Sequence, residues 1–183
     1  MLESLPILSI LIWLPIISGL ILLFFRSISE KYIRVFGHSV SLVTLVLSII
    51  ILNDFDADTY YLQFTEKILW ISNFDIFYHL AVDGFSMVFI ILTTITTSLI
   101  LIFSFSENRA QNNKFISLFL ILEGLLIGVF TAFDSILFYI FFESMLIPLF
   151  LIIGIWGGSN RIYATLKFFI YTFVDSVLML ISL

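Results

Sequence analysis

Hydrophobic positions along this chain form long unbroken runs, with polar residues confined to short intervals between them. From Leu5 to Phe25 no residue is charged, and Arg26 follows at once. A hydrocarbon core about 30 Å thick is crossed by roughly 20 residues in helical form, so this run is long enough to span. A cleaved leader would begin with basic residues and end at a small-residue site before polar sequence. Here Glu3 precedes the run, which predicts a retained helix. Five later runs predict helices at about 35–52, 85–105, 115–133, 136–157 and 162–183, which with the first at about 5–25 makes six. Transmembrane strands would alternate, whereas Ser86 to Phe105 is apolar or hydroxylic on every face, and only a helix satisfies its own backbone in lipid. The expected fold class is therefore all-α integral membrane protein, with residues 1–183 as a single membrane domain and one sizeable loop at about 53–83.

The polar intervals orient these helices. With the N-terminus outside, Arg26, Lys31 and Arg34 fall in the first inner loop, Arg109 and Lys114 in the second and Arg161 in the third, against Lys67 alone outside. Basic residues favour the inner side, so the loop at 53–83, with Asp54, Asp56, Asp58, Glu66 and Asp75, is expected on the positive side. Its Tyr60, Tyr61, Trp70, Phe74, Phe77 and Tyr78 suit the membrane interface or a protein neighbour. Between the fourth and fifth runs, Thr131 to Ser135 is so short that the helices form an antiparallel hairpin, with Asp134 capping the fifth. Asp83 before Gly84 is read as the cap of the third. Gly124 and Gly128 give the fourth helix a small-residue patch for close packing, and Pro15 and Pro148 interrupt two helices.

Composition narrows the chemistry. Hydrophobic residues make up 61% and charged residues 11%, against about 45–50% and about 25% in soluble domains. The formal charge of −5 and the lack of a basic run exclude a nucleic-acid surface. Without cysteine there are no disulfides, no cysteine-ligated clusters and no thiolate metal sites. His38 and His79 lie in no metal-ligand spacing, and neither a phosphate loop nor a nicotinamide fingerprint is present.

What remains is charge inside the spans. Glu123 and Glu143 each lie eight or nine residues from opposite helix mouths, roughly 12 Å deep at 1.5 Å per residue. A carboxylate there costs at least about 2.5–3.5 kcal/mol unless it faces protein, water or a cation. Burial favours the neutral acid and a nearby lysine the carboxylate, so a site holding both changes protonation with small changes in geometry. Glu143 is accordingly the first candidate for a proton path and Glu123 a second. Lys167, Tyr171 and Asp175, spaced by four, share one face of the sixth helix. Lys167 is a secondary candidate able to reach the inner surface, and Asp175 a weaker one. For each, a structural hydrogen-bonding strut is the competing reading. Buried charge in a membrane protein points to ion or proton translocation, with a secondary antiporter as the nearest alternative.

The segments HLAVDGFSMVFIILTT, LEGLLIGVFTAFDSILFYIFFESMLIPLFLIIGIWGG and RIYATLKFFIYT resemble the N-terminal part of the subunit 4 (chain M) family of proton-pumping NADH:quinone oxidoreductase, respiratory complex I. The resemblance covers the whole chain in topology and is specific from about His79 to Leu183. It implies an antiporter-like fold. FFESMLIP matches the family's fifth-helix motif, so Glu143 takes the role of its channel glutamate, paired in the family with a lysine on the seventh helix. Asp83 and Gly84 match the motif that opens the third helix. Asp175 stands where the family has a glycine, a departure that bears on close packing of the sixth helix.

Family members have about fourteen helices, and this sequence covers six. The resemblance therefore implies half of a proton channel coupled to electron transport, with a second chain supplying the later helices, or else a truncated structural or assembly subunit. No cofactor or metal is expected on this chain, since flavin, iron-sulfur clusters and quinone are handled elsewhere in such a complex. Its expected partners are lipids and other membrane-arm subunits, including neighbouring antiporter-like ones. An Ile- and Phe-rich composition favours the mitochondrial inner membrane, with a bacterial cytoplasmic membrane as the alternative.

Overall fold

The computed structural model describes residues 6–24, 30–59, 61–104 and 112–182. Six helices long and apolar enough to cross a membrane are present among them. They are α1 (Ile7–Phe24), α2 (Glu30–Asp54), α3 (Gly84–Ser104), α4 (Asn112–Thr131), α5 (Ser135–Trp156) and α6 (Arg161–Ser182). Helix α2 begins before the expected start near residue 35, because the stretch Lys31 to Arg34 has no helix breaker and its charges mark a helix end lying at the membrane surface rather than a loop. Arg26 and Arg109, assigned to inner loops from the sequence, lie outside the described residues.

The expected loop at 53–83 is corrected by the structure, and the fold is not purely helical. Most of the segment is an antiparallel hairpin, β1 (Gln63–Ile71) and β2 (Ile76–Val82), joined by a single 3-10 turn at Ser72–Phe74. Lys67 pairs with His79 and Ile68 with Tyr78. Both strands are rich in β-branched and aromatic residues, and their polar flanks hid this from a reading based on span-length apolar runs. Asp75 closes the turn in the left-handed region (φ 51°), which aspartate tolerates, and Phe64 at the bulged start of β1 also has positive φ (52°).

The hairpin covers one end of the helix bundle. Leu80, Ala81 and Val82 are fully buried, and β2 extends into the α4–α5 turn through a bridge between Leu80 and Ala132 and the Phe133 amide donating to the His79 carbonyl at 2.9 Å. The Glu66 carboxylate accepts hydrogen bonds from the Leu8 amide (2.8 Å), the Ser9 amide and the Ser9 hydroxyl, so a strand side chain satisfies the exposed donors at the start of α1. Asp134 caps α5 as the sequence predicts: Oδ1 accepts from the Ile136 and Leu137 amides at 3.0 and 3.2 Å. Its Oδ2 accepts from the Phe77 amide at 3.1 Å, tying the same residue to β2. All the helix ends held here belong to one side, and Lys31, Lys114 and Arg161 stand at the other.

Helix α4 is the centre of the bundle, packing against α1, α2, α3 and α5. The small-residue patch works as the sequence suggests but receives two partners instead of one. A Cβ on Gly124 would lie 2.5 Å from the Ile12 carbonyl oxygen of α1, and one on Gly128 would meet the Phe141 ring of α5 at 2.7 Å. Pro15 of α1 sits in the same contact, and Gly19 opposes Ser117 and Ile121 one turn further along. Only Thr165 and Ser176 of α6 are buried, so this helix is attached to α5 along one edge, with Phe150 and Phe169 meeting edge to face at 5.3 Å.

Candidate functional site

Glu123 and Glu143 lie about eight residues on either side of the α4–α5 turn, so each is roughly 12 Å along its helix from the hairpin-covered end. Equal depth does not make them equivalent. Glu123 is fully buried and faces α2, where the Thr44 hydroxyl meets its Oε1 at 2.8 Å. Its Oε2 is enclosed without a hydrogen-bond partner. Glu143 is half-buried, and its Oε2 is likewise enclosed and unpartnered.

The two residues of α6 stand apart from both. Lys167 and Asp175 are exposed, as is Tyr171 between them. The Lys167 ammonium lies 5.9 Å from the Tyr163 ring centroid and 5.8 Å from that of Tyr171, so its neighbours are aromatic residues of its own helix. Among the described residues no ion pair or hydrogen bond joins any two of Glu123, Glu143, Lys167 and Asp175. The structure thus separates one sealed carboxyl, one half-open carboxyl and an outward-facing polar strip.

A buried hydroxyl seam around Glu123 escaped the sequence reading. Ser41, Thr44 and Ser48 of α2 face Thr94 and Ser98 of α3, all buried. The Ser48 and Thr94 hydroxyls are 3.0 Å apart, and the Ser98 hydroxyl donates to the Ser41 carbonyl at 3.2 Å. The signal was present in the spacing of 41, 44 and 48, which puts three hydroxyls on one helical face, but serine and threonine are common in membrane helices and carry little weight alone.

At the hairpin-covered end, Asp83 caps α3 through its Oδ1, which accepts from the Ser86 amide at 2.7 Å. Hydrogen bonds from the Ser86 side chain and amide hold the Asp83 carboxyl below its ordinary range, against the opposing effect of burial. The His79 imidazole is also held below its ordinary value, first by burial and then by nearby Lys67, with Asp134 pulling the other way. Among the described residues no group of three or more metal-ligating side chains converges.

One fully buried and one half-buried carboxyl inside a bundle of six apolar, span-length helices mark the class of multi-pass membrane proteins. Comparison with known proteins makes this particular. The family described as NADH:quinone oxidoreductase/Mrp antiporter, TM, matches residues 132–183. NADH-quinone oxidoreductase subunit M of Rickettsia typhi is 42% identical over 98% of this chain and 38% of its own length. NADH-ubiquinone oxidoreductase chain 4 of Arabidopsis thaliana is 40% identical over 96% of this chain and 36% of its own. A chain of respiratory complex I from Thermus thermophilus with bound NADH superposes with a TM-score of 0.76 at 25% identity, covering 92% of this chain and 33% of that one. Over nearly all its length the sequence is thus similar to part of subunit M or chain 4, and its C-terminal residues 132–183 match the antiporter-type family. It spans under two fifths of the length of these curated relatives.

Proposed function

We propose that this chain supplies part of a proton channel in the membrane arm of an NADH:quinone oxidoreductase, and that Glu143 is the group that exchanges protons. The observation that carries this reading is the Glu143 carboxyl itself, in the middle part of a span-length helix, half-buried, with one oxygen enclosed and unpartnered. A carboxylate in such a place has to gain a proton, a water or a cation. Its incompletely covered surface gives it access to a partner that sealed Glu123 lacks. Helices beyond the six described here, from the rest of the subunit or from a second chain, complete the channel and bring a cationic side chain to Glu143. As its other partners we take neighbouring antiporter-like subunits and lipid, in a mitochondrial inner or bacterial membrane, a reading supported by the bacterial and plant relatives. Electron transfer and its cofactors belong elsewhere in the complex, and this chain contributes no redox centre.

Glutamine preserves the size and hydrogen-bonding capacity of Glu143 but does not titrate. In the assembled complex, Glu143→Gln is expected to keep normal subunit content and NADH oxidation with an artificial acceptor while losing most quinone-coupled proton pumping. Glu143→Asp, one methylene shorter, recovers part of it. Wild-type pumping stoichiometry in Glu143→Gln would overturn the channel role and favour a structural subunit.

A further inference from the structure

The hydrogen-bond inventory around Glu123 has one hydrogen too few if the residue is ionised. The Thr44 hydroxyl carries a single hydrogen and has two acceptors in reach, the Ser41 carbonyl at 2.9 Å within α2 and Glu123 Oε1 at 2.8 Å across to α4. Both contacts are full two-centre hydrogen bonds only when the second hydrogen comes from Glu123. With a proton on Oε1, Glu123 donates to Thr44 and Thr44 donates to Ser41. As a carboxylate, Glu123 would take the Thr44 hydrogen, the Ser41 carbonyl would keep its helical amide partner and the Ser98 contact at 3.2 Å, and a charged Oε2 would be left with no donor at all. A buried charged oxygen without a donor is strongly disfavoured relative to the neutral acid.

No countercharge is at hand. The elements packed against α4 are α1, α2, α3, α5 and β2. Neither α1 nor α3 contains an ionisable residue. In α2 none occurs from Ser39 to Asn53, and His38 is six residues, roughly 9 Å, along the helix from Thr44. Helix α5 brings Tyr139 and Glu143, and β2 brings Tyr78 and His79 at the covered end. On α4 itself the other charge is Lys114, nine residues away at the opposite end. None of these groups bonds to Glu123 among the described residues.

We propose that Glu123 is a second proton-holding site of this chain, a neutral carboxylic acid whose proton lies in the hydrogen bond to Thr44 at the α2–α4 contact. Glu143 exchanges its proton and Glu123 keeps its own. The proposal rests on the membrane-spanning reading and deepens it, but not on the pumping role of Glu143.

The test is infrared difference spectroscopy on native membranes carrying the assembled protein, reading the carbonyl stretch of a protonated carboxyl. A band present across neutral pH is expected in the wild type, lost in Glu123→Gln and retained in Glu143→Gln. Thr44→Val should move it to the higher frequency of a carboxyl without a hydrogen-bond acceptor, and Thr44→Ser should leave it in place. If Glu123→Gln does not assemble, the shift in Thr44→Val against Thr44→Ser decides alone. Only carboxylate bands lost in Glu123→Gln, or a band that Thr44→Val leaves unmoved, would overturn the proposal. Because the band is read without turnover, its outcome is independent of whether Glu143→Gln pumps.

Discussion

At Asp83 one carboxylate fixes where α3 begins, and its titration gives a signed expectation. Folding lowers its proton affinity through the Ser86 hydrogen bonds, so the ionised form is favoured in the folded state. The stabilisation is fully present above the carboxyl's ordinary value of 3.8 and is lost as pH falls through the lower folded value. Asparagine caps a helix comparably but does not titrate. Asp83→Asn should therefore change the thermal midpoint little at neutral pH and show a shallower loss on acidification than the wild type, measured by scanning the protein in lipid from pH 6 to about 3. An identical acid-side decline in both would assign that decline to other carboxyl groups. Glu123 and Glu143 make a related point about single residues: depth along the helix was legible from counting, but which of them is sealed depends on what α2 and the open side of α5 present to them.

Helices meet here through specific small residues, and Gly124 is a case where a neighbouring helix's backbone stands in the way. Any side chain at this position drives its Cβ against the Ile12 backbone oxygen and the Pro15 and Ile16 side chains, atoms that belong to a rigid helix and do not yield. Gly124→Leu is expected to separate α1 from α4 and to abolish accumulation of the chain in membranes. Gly84→Ala, where a Cβ meets nothing within 4 Å, should accumulate normally. Immunoblots of membrane fractions compare the two, and normal levels of Gly124→Leu would show that α1 does not depend on this contact. The hairpin is the element that hydropathy missed. Its strands carry Lys67 and Glu66 and are too short to span, so they register as polar interruption until pairing and the burial of Leu80 to Val82 reveal a lid on the bundle.

For the molecule as a whole, the alternation of six spans places the hairpin on one face of the membrane and the basic helix ends on the other. Because these 183 residues contain no cysteine, a single cysteine introduced among them reports sidedness cleanly. Both Lys31 and Asp58 are exposed. Lys31→Cys should be labelled by an impermeant thiol reagent only from the inner face, and Asp58→Cys only from the outer. Labelling of both from one side would mean that α2 does not cross.

Sequence alone determined the number of spans, their approximate ends, the Asp134 and Asp83 caps and the depth of both glutamates. Each follows from local rules: the length of apolar run that lipid requires, the preference of aspartate for exposed amides, and the fixed rise of a helix. Tertiary structure alone decided that α4 lies at the centre, that Glu66 of a strand closes the start of α1, that Thr44 rather than a cation faces Glu123, and that Lys167 and Asp175 point outward. These are contacts between residues 57 to 79 positions apart, as for Glu66 with Ser9 and Glu123 with Thr44, or depend on which helix face finds a neighbour. In a uniformly apolar helix no hydrophobic stripe marks the buried side, so the face is chosen by close packing at glycines and by the pairing of a few polar groups, neither of which periodicity reveals.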